Sequence, residues 1–112
     1  MITIYHNPRC GKSRAALKVL QDLGLDIQIV EYLKTPLDRR QLTELLAHLN
    51  MHPFKLIRKG ERIFIAHFKQ LDKDAVDWIQ AMIDYPILIE RPIIKKGNKA
   101  VIGRDADWIK II

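Results

Sequence analysis

The sequence predicts an α/β protein: a mixed four-stranded sheet with flanking helices and a central helical insert. Three observations carry this expectation. A strand pattern, a helix pattern and a second strand pattern follow one another within residues 2–32, with only short turns between them. A Gly97-Asn98 pair separates two apolar, β-branched runs near the other end, the signature of a hairpin. The stretch between these β-rich ends reads as mainly helical.

Ile2-Thr3-Ile4-Tyr5 alternates and is rich in β-formers, so it reads as a strand. Asn7-Pro8 and Gly11 mark a turn. Across residues 12–23, Ala16, Leu17, Val19, Leu20 and Leu23 fall at helical spacing, and Gly24 is a good stop just beyond. Residues 26–32 alternate again as a second strand, and a helical crossover makes the two strands parallel. Residues 34–38 read as a turn ending in an N-cap. Leu42, Leu45, Leu46 and Leu49 then form one helical stripe, closed by His48-Leu49-Asn50. Pro53 starts a short helical turn that runs to Arg58 and stops at Lys59-Gly60. Residues 61–68 suit a strand by their aromatic and β-branched content and a helical turn by their length, and both readings stand. Ala75, Val76, Ile79 and Ile83 indicate a helix that ends before Tyr85-Pro86, ahead of the short apolar Ile87-Leu88-Ile89. Ile93-Ile94-Lys95-Lys96 and Ala100-Val101-Ile102 are the hairpin strands. Gly103 breaks the second, and Asp105 is placed to cap a last helix through Trp108 and Ile111. The order βαβα, a helical middle, then ββα is the plan of the thioredoxin-like fold.

The 112 residues suit one domain spanning 1–112, expected as a monomer. Hydrophobic residues make up 48% and charged residues 29%, the balance of an ordinary globular chain rather than a disordered one. No apolar run approaches the roughly 18–20 residues of a membrane span, so no membrane association is expected. The opening segment is too short for a signal h-region. A single cysteine cannot form an internal disulfide, which together with the opening segment favours the cytoplasm. The net charge of +6 admits nucleic acid, an anionic membrane or a small anion as partner. The basic residues are scattered, however, and no zinc-finger or RNA-recognition signature accompanies them, so nucleic acid is not expected.

The chemistry concentrates at Pro8-Arg9-Cys10-Gly11-Lys12-Ser13. This loop precedes a helix whose first backbone N–H groups have no intrahelical acceptor, and the helix dipole favours an anion there. Gly11 lets the chain turn tightly and a ligand approach the backbone, with Lys12 beside it. Ser13 offers a hydroxyl to a thiolate, and Arg9, Lys12, Arg14 and His6 add positive charge. Each favours S⁻ over SH, which makes Cys10 a candidate nucleophile beside an anion pocket. A lone cysteine is more often a small core residue, but Cys10 lies among Pro, Gly and charges instead of on an apolar stripe. Gly11-Lys12-Ser13 echoes a phosphate-binding loop, yet His6 stands where that motif needs its first glycine. Ser13 also stands where a Cys-x-x-Cys pair would need its second thiol.

Elsewhere, Arg91-Pro92 ahead of a strand is a candidate cis bond at Pro92. Arg91 and Arg104 taken singly read as solvated surface groups; taken together with Cys10, and if near its loop, they would offer forked donors to an oxyanion. His48, His52 and His67 lack metal-site spacing, and Asp72, Asp74 and Asp77 read as helix-start charges, so no metal is expected. Trp78 and Trp108 fall on helical stripes and read as core.

Five segments together resemble the glutaredoxin-coupled arsenate reductase family. They are Tyr5-His6-Asn7-Pro8-Arg9-Cys10-Gly11-Lys12-Ser13-Arg14, Glu31-Tyr32-Leu33-Lys34-Thr35-Pro36, Leu56-Ile57-Arg58-Lys59, Pro86-Ile87-Leu88-Ile89-Glu90-Arg91-Pro92-Ile93 and Val101-Ile102-Gly103-Arg104. They recur in the family's order over nearly the whole chain. The resemblance implies a thioredoxin-like fold with a helical insert and reduction of arsenate to arsenite. It further implies no bound cofactor, glutathione as co-substrate and glutaredoxin as protein partner. In that family the cysteine attacks arsenate, glutathione displaces the thiolate ester, and glutaredoxin resolves the mixed disulfide. Carried over, Cys10 is the nucleophile, His6 and Ser13 tune it, and Arg91 and Arg104 hold the oxyanion. The family places a further arginine at the start of the middle helix, where Phe54 or Lys55 falls here. Arg58, one helical turn on, is the weaker candidate to replace it. Two other readings share the resemblance. One is a thiol enzyme acting on another substrate, such as a glutathione adduct. The other is a non-catalytic module that binds RNA polymerase, whose usual Cys-x-x-Cys switch this chain lacks.

Overall fold

In the computed structural model, which describes residues 1–105 and 107–112, the first alternating segment forms strand β1 (Ile2–Tyr5). Alternation buries Ile2 and Ile4 and leaves Thr3 and Tyr5 half-buried. The chain divides into two units, Met1–Thr35 with Arg91–Ile112, and Pro36–Glu90.

The first unit holds the whole sheet. Helix α1 (Gly11–Asp22) connects β1 to β2 (Ile27–Val30), and the hairpin β3 (Ile93–Lys96) and β4 (Lys99–Ile102) completes it. The strand order is β2-β1-β3-β4, so β1 lies between a parallel and an antiparallel neighbour. The register pairs Ile2 with Ile27 on one side and Tyr5 with Ile93 on the other. Leu23 caps α1, and Gly24 follows with φ +69°, a left-handed conformation that glycine adopts without a Cβ clash. Gly97 opens the hairpin turn with φ +62°, at the position where a II′ turn takes glycine. Ile2, Ile4, Ala16, Leu20 and Ile94 form the core, with Leu17, Val101, Trp108 and Ile111 packed against it. Each fully buried isoleucine or leucine contributes about 1.5–3 kcal/mol relative to exposure.

The last element differs from expectation. It is a 3₁₀ turn (Trp108–Ile111), and its N-cap is Asp107, with no side-chain cap bond. Asp105 belongs instead to the turn after β4: its amide donates to Ile102 O at 3.3 Å and its carbonyl accepts from Trp108 N at 3.1 Å. Four residues leave no room for the i→i−4 pattern of a longer helix.

The second unit is helical. Helix α2 (Arg39–Leu49) starts with a full capping box: Gln41 N donates to Asp38 Oδ1 at 2.8 Å, and Asp38 N donates to Gln41 Oε1 at 2.9 Å. Its C-cap, Asn50, is left-handed with φ 51°. A 3₁₀ turn (Pro53–Leu56) follows, shorter than the sequence suggests because Ile57 leaves it to form a β-bridge with Ile89. Arg58 N to Leu88 O (2.7 Å) and Glu90 N to Leu56 O (2.9 Å) flank that bridge. The ambiguous segment resolves as helix α3 (Arg62–His67), which buries Phe64. Ala75 ends a separate 3₁₀ turn (Lys73–Ala75) and Val76 lies outside any helix. Asp77 caps helix α4 (Trp78–Asp84) by accepting from Gln80 N at 3.1 Å. A final 3₁₀ turn spans Pro86–Leu88. Phe54, Phe64 and Phe68 pack on Trp78 as an aromatic cluster, which Tyr85 extends through Phe68; Trp78 is 3% exposed, and its Nε1 donates to Lys73 O at 2.8 Å.

Candidate active site around Cys10

The site is built where β1 runs out. His6 continues the parallel pairing by one step, donating its amide to Val30 O at 2.8 Å. The chain then turns at Asn7-Pro8-Arg9 and enters α1 with Cys10 as N-cap, in extended geometry (φ −96°, ψ 123°). Cys10 is a free, half-exposed thiol. Arg14 N donates to Cys10 O at 3.0 Å, the first i→i−4 bond of the helix. The amides of Gly11, Lys12 and Ser13 precede that bond, and the side chain of the N-cap Cys10 makes no bond to them. Their partial positive charge faces the region of the Cys10 side chain, which is the electrostatic setting for a thiolate or a bound oxyanion. Arg14 folds back over the loop: its Nη1 donates to Pro8 O at 2.9 Å, and its Nη2 would lie 3.7 Å from a Cβ at Gly11.

Beneath the loop lies a buried polar network. Ser13 is fully buried, and its Oγ stands 2.6 Å from His6 Nδ1 and accepts from Asn7 N at 3.0 Å. His6 is 6% exposed. Burial holds its pKa below the usual 6.5; the Glu31 carboxylate opposes that shift, and the Arg14 charge adds to it. The shift disfavours the positive charge that the sequence suggested for His6. The Ser13 hydroxyl is engaged with His6 and Asn7, and no bond from it to Cys10 occurs among the described hydrogen bonds. Both residues thus act on the shape of the loop. Asn7 escaped the sequence reading as anything but a turn marker. An Asn just before an uncapped helix start is a known turn-former through its side chain, and that signal was available.

Strand register gathers the remaining residues. Because Tyr5 pairs with Ile93 and Ile93 with Ile102, the segments after β1, before β3 and after β4 emerge at one end of the sheet. Those segments carry Cys10, Arg91-Pro92 and Arg104. The Arg91–Pro92 peptide bond is cis. Arg91 is half-buried, with Nε and Nη1 out of contact with solvent. Gly103 N donates to Pro92 O at 2.7 Å, and a Cβ at Gly103 would fall 2.7 Å from Pro92 Cγ and even closer to Ile94 Cδ1. Only glycine permits that approach, which sets where Arg104 leaves the sheet. Arg104 and Lys12 line one cleft of about 230 Å³, together with Val19 and Trp108. A second cleft of about 230 Å³ is lined by His6, Arg9, Glu31 and Lys34.

Arg58 belongs to the second unit, where its Nη1 donates to Glu61 Oε1 at 2.5 Å. Phe54 packs on Trp78 at 5.0 Å between centroids and carries Lys59 Nζ over its ring at 4.3 Å. Lys55 is exposed in a cleft with His52, Lys73 and Asp74. Among the described residues no group of three or more His, Cys, Asp or Glu could hold a metal ion, and no helix is long and apolar enough to cross a membrane.

A model of the ArsC family matches residues 5–112. YfgD of Escherichia coli K12 is 41% identical, over 96% of this chain and 92% of its own. An arsenate reductase of Neisseria meningitidis is 36% identical, over 99% and 97% respectively. Among solved structures, an arsenate reductase from Vibrio cholerae superposes with a TM-score of 0.86 at 33% identity, covering 99% of this chain and 97% of that one. A Yersinia pestis chain superposes with a TM-score of 0.87 at 40% identity over the whole of both. A family match of this extent, supported by relatives aligned over nearly their full length, shows that the chain belongs to the ArsC family.

Proposed function

We propose that Cys10 is the nucleophile of an arsenate reductase whose further thiols come from glutathione and glutaredoxin. The chain is an arsenate reductase-like oxidoreductase, as its family and its arsenate reductase relatives at 36–39% identity support. Residues 1–112 act in this reading as one domain, a cytoplasmic monomer with no bound cofactor.

Arsenate docks at the start of α1, its oxygens toward the amides of Gly11 and Lys12. Arg91 and Arg104 add charge-assisted donors, and Arg14 supports the anionic state of the loop. His6 and Ser13 tune the thiolate by holding the loop that presents it. Cys10 Sγ attacks arsenic, an As–S bond forms, and a protonated oxygen leaves as water. Glutathione thiolate then attacks Cys10 Sγ. An S–S bond forms, the As–S bond breaks, and its electron pair stays on arsenic, which leaves as arsenite. Glutaredoxin takes the glutathione by thiol–disulfide exchange and returns the Cys10 thiol.

The observation that carries this reading is a half-exposed cysteine as the N-cap of a helix whose leading amides its own side chain does not bond. The test is NADPH consumption with arsenate, glutathione, glutaredoxin and glutathione reductase. Arsenate-dependent turnover is expected for the wild type and only background for Cys10→Ser. Equal rates for the two proteins would refute the arsenate reading. Rapid alkylation of Cys10 without arsenate turnover would leave a thiol enzyme for another substrate.

A further inference from the structure

We propose that Asn7 is the positioning residue of the Cys10 loop, setting the nucleophile at the helix start without touching the oxyanion. This rests on the reading of Cys10 as the nucleophile. Asn7 is 3% exposed and spends three polar atoms inside the loop. Its N donates to Ser13 Oγ, its O accepts from Cys10 N and its Oδ1 accepts from Arg9 N, all at 3.0 Å.

Each bond does something distinct. The bond from Cys10 N turns that amide into the loop, so the donors left for an anion are those of Gly11, Lys12 and Ser13. The bond from Arg9 N to Asn7 Oδ1 closes a side-chain turn across Pro8 and delivers Cys10 in its extended N-cap conformation. The bond to Ser13 Oγ pins the strand end to the first turn of α1 through a fully buried hydroxyl. The bonds through N and O belong to the backbone and survive substitution; the Oδ1 bond alone is specific to asparagine, and small shifts on its loss misalign a nucleophile at large kinetic cost. An Asp would form the same side-chain turn but place a negative charge beside a thiolate and an incoming anion. The amide supplies the acceptor without the charge.

The experiment compares wild type, Asn7→Ala and Asn7→Ser well below their melting temperatures. It reads the rate of Cys10 alkylation by iodoacetamide across pH, kcat and KM for arsenate, and folding by circular dichroism. Asn7→Ala is expected to stay folded, lose about 10–100-fold in kcat with KM for arsenate within threefold, and slow alkylation at neutral pH. Asn7→Ser, a neutral but shorter acceptor, is expected to recover part of both rates. A folded Asn7→Ala alkylated at the wild-type rate overturns the proposal. If Asn7→Ala does not fold, Asn7→Ser carries the test: kcat at least threefold below wild type supports it, and wild-type kcat overturns it. Alkylation requires no arsenate. A wild type without arsenate turnover but with the expected order of alkylation rates would refute the proposed function and leave the role of Asn7 standing.

Discussion

Ser13→Ala tests the buried network under the loop most directly. Ser13 is fully buried; its Oγ accepts from Asn7 N at 3.0 Å and stands 2.6 Å from His6 Nδ1. Alanine fills nearly the same volume, so no space opens for a compensating water. Two buried polar groups then lose their partner, at about 1–3 kcal/mol each. Against this, alanine gains a few tenths of a kcal/mol over serine in helix propensity. Local relaxation brings the net loss to about 2–4 kcal/mol. At roughly 4 °C per kcal/mol for a chain near this size, Tm should fall by about 8–16 °C. Thermal unfolding followed by circular dichroism at pH 7.5 measures it. A double-mutant cycle adds a sharper check: in a His6→Phe background the imidazole is gone, and Ser13→Ala should cost about half as much. A Tm drop under about 2 °C, or identical costs in the two backgrounds, would refute the claim that Ser13 satisfies both partners.

Other expectations follow from equally local features. Gly103→Ala forces a Cβ to 2.7 Å from Pro92 Cγ in a buried corner and should cost about 1–3 kcal/mol by urea denaturation, with arsenate turnover reduced because Arg104 is displaced. Asp38→Ala removes the α2 capping box and should cost about 0.5–2 kcal/mol in the same assay. Burial holds the His6 pKa below 6.5 in the folded chain, so below about pH 6.5 the unfolded chain takes up a proton that the folded one does not. Stability should therefore decline as pH falls from about 6.5 until folded His6 itself titrates. His6→Gln should lack this part of the decline when both proteins are unfolded by urea between pH 7.5 and 5, and parallel curves would contradict it.

Helices and caps with a local cause were legible in advance. Residues 12–23 show the apolar spacing of α1, Gly24 its stop, and Asp38 the start of α2 three residues before Gln41. Segments whose state depends on packing were not. Residues 61–68 have strand-like composition, yet they coil because Phe64 packs into the Trp78 cluster. Ala75 and Val76 keep helical spacing with Ile79, but capping by Asp77 starts α4 at Trp78 and leaves them outside it. The short turn at Trp108–Ile111 misled in the same way, since apolar spacing does not separate a single 3₁₀ turn from a longer helix.

For the loop around Cys10, the chain itself determined that a thiol would stand among Pro, Gly and basic residues at the start of a helix, because turn formers and helical periodicity are local properties. The His6–Ser13 contact and the threefold engagement of Asn7 came only with tertiary structure, since the six intervening residues must first adopt one conformation. Tertiary structure also moved the pKa of His6, because burial, invisible in composition, lowers it. It likewise brought Arg91 and Arg104 to the end of the sheet that carries Cys10. Strand register alone does this, by pairing Tyr5 with Ile93 and Ile93 with Ile102 across most of the chain's length.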